Sequence, residues 1–100
     1  MKFKLLGKRI EMSSKQYEKE LSIKSELEDL LFKIKKSTKS DELRKAFWLK
    51  ILSIYVRWNK EYPELKNVTQ DRIDNITKIL EDNYNFGKLD DNIKLALTPS

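Results

Sequence analysis

The chain contains no cysteine and no histidine. Disulfides and thiolate metal sites are therefore excluded, and the commonest metal ligand and the usual acid–base group near neutral pH are missing. Glycine occurs only at Gly7 and Gly87, which rules out a glycine-rich phosphate loop or a dinucleotide fingerprint. The longest uncharged apolar run, ILSIYV from Ile51 to Val56, is far short of the roughly 20 residues of a membrane span, and MKFKLLGKRIE holds no apolar run of signal-peptide length. A cytoplasmic protein without a transmembrane segment is expected.

What is present is charge and apolar periodicity. With 39% apolar and 37% charged residues in 100, the chain fits a single domain with one core. Its net charge of +5 is unevenly spread: Met1 to Lys60 carries 16 Lys and Arg against 8 Asp and Glu, whereas Glu61 to Ser100 carries 5 against 8. A basic front half can steer a protein toward a polyanion, or be attracted to its own acidic back half.

The stretch Lys2 to Met12, KFKLLGKRIEM, alternates as a strand pair does. A two-residue type II′ turn at Gly7-Lys8 would set Leu5 opposite Ile10, Lys4 opposite Glu11 and Phe3 opposite Met12, with the apolar members on one face. An isolated hairpin is marginal in water, so that face should lie on the rest of the protein, leaving a polar edge for another chain.

Helical patterns follow. Ser13 with Gln16 makes a capping-box pair, Met12 with Tyr17 has staple spacing, and Tyr17, Leu21, Leu27, Leu30, Leu31 and Ile34 continue the stripe, predicting a helix over 13–36. Ser40, Asp41 and Glu42 open a second helix over 40–61, in which apolar residues from Leu43 to Trp58 cover nearly the whole circumference and Tyr62-Pro63 marks the end. After ELKN as a connection, Thr69 caps a third helix over 69–86, with Val68 and Ile73 as staple and Gly87 as stop. A further short helix over 90–97 would pack Ile93 and Leu97. The fold expected is mainly α: a three- to four-helix bundle with a short N-terminal β-hairpin packed against it, one domain over 1–100.

Catalytic constellations are hard to find in this sequence. Glu28-Asp29, Glu81-Asp82, Asp90-Asp91 and the pair Asp71 and Asp74 show adjacency but no convergence, and solvated faces and helix starts explain them. DNYNFGKLDDNI superficially resembles a calcium loop, but with Gly87 at the sixth position Tyr84 and Phe86 fall where oxygen ligands are required. No enzyme activity, metal or cofactor is expected.

The sharper signal is positive charge beside aromatics. Lys33, Lys35, Lys36 and Lys39 surround the first connection, and Lys50, Arg57 and Lys60 form one strip of the second helix. These seven residues are the candidate surface for a partner or for a phosphate backbone. Against nucleic acid stand the small number of arginines, four in all, and a break between the second and third helices that reads as too long for a helix-turn-helix, with an acidic third helix. The bland reading is the stronger: the strip is the solvated face that a mostly buried helix must expose, and Trp48, Tyr55 and Trp58 belong in the core rather than to a base-stacking platform. An interfacial membrane helix is disfavoured because the apolar arc of the second helix is too wide. A non-catalytic protein-binding module, such as a phage- or mobile-element-type accessory, inhibitor or immunity protein, is the first expectation and nucleic-acid binding the second, with homodimerisation left open.

Overall fold

A computed structural model describes residues 1–36 and 41–83. Strands β1 (Lys2–Leu5) and β2 (Lys8–Glu11) precede helices α1 (Ser14–Lys36), α2 (Asp41–Glu61) and α3 (Lys66–Asn83), the last entered through a single 3-10 turn at Pro63–Leu65. The described residues thus form three helices with an antiparallel hairpin packed on them, as the pattern predicts. Lys39, the cap at Ser40, the glycine stop at Gly87 and the expected helix over 90–97 lie outside the described residues.

The hairpin forms with a different register. Lys2 faces Glu11, Phe3 faces Ile10, Lys4 faces Arg9 and Leu5 faces Lys8. The turn is Leu6-Gly7, and both residues have positive φ, 50° and 80°, which is the signature of type I′ rather than II′. Pairing shifts by two positions relative to the prediction, and an even shift preserves side-chain parity. Leu5, Ile10 and Met12 are therefore still buried on one face, with Phe3 half-buried beside them. The charges are rearranged: Lys4 now opposes Arg9 instead of Glu11.

Helix α1 begins as its cap requires, with the Gln16 amide donating to Ser13 Oγ at 3.1 Å. The reciprocal half of the capping box is absent, because the Gln16 side chain instead donates to the Tyr62 hydroxyl at 2.8 Å. Tyr17 stacks on Phe3, ring centroids 4.3 Å apart, and this joins hairpin to helix. Of the predicted stripe, Leu27 and Leu30 are buried, but Leu21 is exposed and its neighbour Glu20 is buried in its place.

The largest correction concerns the corner between α2 and α3. Tyr62 alone separates Glu61 from the turn at Pro63, so the break is a tight corner and the length argument against a helix-turn-helix does not hold. Proline ends α2, as expected, but it also starts the next helical segment: Tyr62 is extended at φ −123° and ψ 94°, and Pro63 occupies the first turn, where its missing N–H costs nothing. Helix α3 consequently begins at Lys66, and Thr69 is an interior residue, not a cap. Its buried hydroxyl donates to the Leu65 carbonyl at 2.8 Å and accepts from Asn59 Nδ2 at 2.9 Å, tying α3 to α2.

Helix α2 is the central element, with α1 and α3 each packing on it rather than on one another. The core gathers Ile51, Leu52, Tyr55 and Trp58 from α2, Leu65 from the corner, and Ile76 and Leu80 from α3. The encircling apolar pattern of α2 is buried most deeply over its second half, where Ile51, Leu52, Tyr55 and Trp58 are buried and Ile54 and Val56 half-buried. Toward its start, Leu43 is exposed and Phe47, Trp48 and Leu49 are half-buried.

Candidate functional site

Two features combine polar or aromatic groups in unusual settings: a buried carboxylate between α1 and α2, and a pair of cavities between α1 and α3. The first grows from Glu20, whose side chain is 1% exposed. A buried carboxylate needs charge-assisted partners, and α2 supplies them on successive residues. Arg57 Nη2 meets Glu20 Oε1 at 2.8 Å, and Trp58 Nε1 donates to Glu20 Oε2 at 2.5 Å. Arg57 also reaches Glu61 at 2.8 Å, so one guanidinium bridges a buried and a surface carboxylate.

Burial alone would lower the Arg57 pKa. The hydrogen bond and charge of Glu20, with the charge of Glu61, outweigh it and hold the group above its ordinary value. Tyr62 completes the network. Its hydroxyl accepts from Gln16, and burial, together with the nearby Glu20 charge, pushes its pKa above the ordinary value, although the Gln16 bond works the other way. Tyr55 is raised too, by burial against the opposing pull of Arg72, whose guanidinium lies 5.7 Å from the ring centroid.

A folded-state pKa above 10.0 for both phenols has a defined consequence. Their contribution to stability is complete below the unfolded-state value and is lost as pH rises through the raised folded-state values. The urea midpoint is therefore expected to hold up to about pH 9 and fall above about pH 10. In Tyr55→Phe with Tyr62→Phe the fall should be shallower than in the wild type. An equal fall in both proteins would assign the alkaline loss to other groups.

This network accounts for much of the predicted basic strip. Arg57 belongs to the buried network, and Lys50 is paired with Glu26 of α1 at 2.9 Å. The pairings Glu20 with Arg57 and Glu26 with Lys50 follow an antiparallel α1–α2 arrangement and turn the strip toward α1. Lys33 pairs with Asp29 at 3.0 Å, and Lys36 sits 5.7 Å from the Phe32 ring centroid. Lys35 and Lys60 are exposed, and Lys39 lies outside the described residues. The seven candidates therefore do not form one free surface among the described residues.

The second feature was not anticipated from sequence. Because α1 and α3 pack on α2 and not on each other, a trough remains between them. One cavity of about 180 Å³ is lined by Leu31, Trp48, Ile51, Tyr55, Ile76 and Ile79, with Arg72 and Asn75 at its side. An adjoining one of about 240 Å³ shares Leu31, Tyr55 and Arg72 and extends along Leu27 and Trp58 to Leu6 at the hairpin turn, with Lys24 and Glu28 on its lining. Leu6, one of the two turn residues with positive φ, thus closes one end of the trough. Periodicity could not reveal it, since Leu31 and Trp48 read as ordinary core positions.

Among the described residues no cluster of three acidic side chains is arranged to hold a metal ion, and no helix is long and apolar enough to cross a membrane. The class that fold and site define is a small helical module clasped by an N-terminal hairpin, with three helices among the described residues and an apolar trough on one side. Compared with protein-family models, curated proteins and solved structures, the chain matches none.

Proposed function

We propose that this protein is a small non-catalytic protein-binding module, of the kind a phage or mobile element uses as an accessory, inhibitor or immunity protein, and that its trough receives an amphipathic helix of the partner. The observation that carries this reading is the lining: aromatic and aliphatic side chains from α1, α2, α3 and the hairpin turn, with Arg72 and Lys24 against the single carboxylate of Glu28. Helix-in-groove recognition needs such an apolar floor, and the basic side groups favour a partner helix with acidic flanks. The ion pairs that occupy Lys50 and Arg57 weigh against the α2 strip as a phosphate-binding surface.

Affinity capture with the intact chain, followed by titration of the captured protein, tests the proposal. Ile79 is half-buried on the trough lining, so Ile79→Arg should leave the helix content unchanged while weakening the partner at least about tenfold. The exposed Lys60→Gln should not. No reproducible partner, or a partner indifferent to Ile79→Arg, overturns the reading. Concentration-dependent self-association abolished by Ile79→Arg would instead make the occupant a second copy.

A further inference from the structure

The hairpin register leaves a feature that neither the trough nor the buried network uses. Lys2, Lys4, Lys8 and Arg9 are all exposed, and none of them forms an ion pair among the described residues. Lys4 and Arg9 stand directly opposite one another, an arrangement of like charges that weakens a strand pair. The only carboxylate of the hairpin, Glu11, is held by the Met1 ammonium at 2.8 Å. That contact, by hydrogen bond and charge, also lowers the Glu11 pKa. The hairpin therefore presents four cations against one carboxylate, Glu11, which faces Lys2 across the strands and is already held by the Met1 ammonium. Elsewhere the structure neutralises comparable groups: Lys33 by Asp29, Lys50 by Glu26, Arg57 by Glu20 and Glu61.

We propose that the hairpin, through Lys2, Lys4 and Arg9 on its outer side and the exposed Lys8 beside its turn, binds the phosphate backbone of duplex nucleic acid without reading its sequence. The chemistry of the face selects this ligand over a protein. Protein interfaces are anchored by aromatic and aliphatic side chains at a core depleted of charge. Here the alternation buries Leu5 and Ile10 inward and leaves Lys2, Lys4, Arg9 and Glu11 outward, with no apolar anchor. Backbone binding requires no such anchor, because counterion release supplies the driving force. The same lack of apolar groups disfavours insertion into a lipid surface. It also selects duplex over single strand: Phe3 is engaged in its stack with Tyr17, so no free ring remains on this face for a base to stack on. A two-stranded ribbon is, in addition, an element that the major groove of B-form DNA, roughly 12 Å wide, can admit.

The site is separate from the trough, and the test keeps the two apart. Fluorescence anisotropy with a labelled mixed-sequence DNA duplex of about 20 base pairs should show binding that falls about 150-fold between 50 and 200 mM salt if all four cations act. Lys4→Gln with Arg9→Gln should bind at least about tenfold more weakly at 50 mM, and its salt response should shrink to about 12-fold. Lys50→Gln with Lys60→Gln, which removes the same charge from α2, and the trough variant Ile79→Arg should each stay within about threefold of wild type. Unchanged far-ultraviolet circular dichroism and tryptophan emission verify the fold of each variant. No binding at 50 mM overturns the proposal, as does equal weakening by the α2 pair. Tighter binding of the single strand removes the duplex assignment. Poly-glutamate or anionic phosphatidylserine vesicles competing as well as duplex at equal charge would reassign the face to an acidic protein or a membrane surface, and overturn it likewise.

Discussion

Trp58→Ala is expected to destabilise the protein by about 3 to 5 kcal/mol, read as a lowered urea midpoint by circular dichroism. Trp58 is the largest fully buried side chain, at 0% exposure. It lies in the half of α2 where Ile51, Leu52 and Tyr55 are also buried, and its ring meets Tyr55 edge-on with centroids 5.9 Å apart. Alanine would open a cavity in a core with few residues to collapse into it, and would strip Glu20 of its indole donor. For a domain with a total stability of about 5 to 15 kcal/mol, a loss of this size puts the variant near its folding threshold. Trp58→Phe keeps most of the volume and loses the N–H, so it should cost less than half as much. A loss below about 1.5 kcal/mol for alanine would show that Trp58 is not the centre of the core.

The second large effect is expected at Glu20. Glu20→Ala leaves the Trp58 N–H unsatisfied and frees Arg57 from its buried partner. Removing one member of a buried ion pair costs about 3 to 5 kcal/mol. Arg57, however, is 25% exposed and retains Glu61, so its screening by solvent reduces the expectation to about 2 to 4 kcal/mol. Glu20→Gln retains an acceptor oxygen for the indole while losing the charge, and should fall between wild type and alanine. Because Glu20 and Trp58 touch, the two sites should not be additive. A double-mutant cycle pairing Glu20→Ala with Trp58→Phe should show a coupling of about 1 to 3 kcal/mol. Additivity within about 0.3 kcal/mol would mean the hydrogen bond contributes little net stability.

These two residues also show how far the sequence could be read. Trp58 was recognisable as a core residue because it falls within an apolar pattern that encircles α2. Apolar periodicity points to Leu21 and not to Glu20, although Glu20 lies seven residues before buried Leu27, close to two helical turns and so on the same face. The missing signal was the partner: a glutamate reads as solvated until an arginine and an indole, 37 and 38 residues away, are known to meet it. The basic strip shows the complementary limit. Lys50 and Arg57 do share one side of α2, as their spacing implies, but spacing cannot tell whether that side faces water or the carboxylates of another helix.

Local chemistry in the sequence determined the kinds of element and most of their limits. Alternation produced the hairpin and chose its buried face, Ser13 capped α1, and proline ended α2. Each depends on residues within about four positions of one another, where steric and hydrogen-bonding preferences act directly. Tertiary structure decided the rest. Hairpin register is degenerate under an even shift, since either pairing buries the same residues, and only the turn conformation and docking onto the helices distinguish them. The start of α3 moved from Thr69 back to Lys66 because a threonine hydroxyl can cap a helix or bond back to a carbonyl within it, and burial against Asn59 selected the second. The trough exists because α1 and α3 each rest on α2 and not on one another, an arrangement of whole helices that no local pattern encodes.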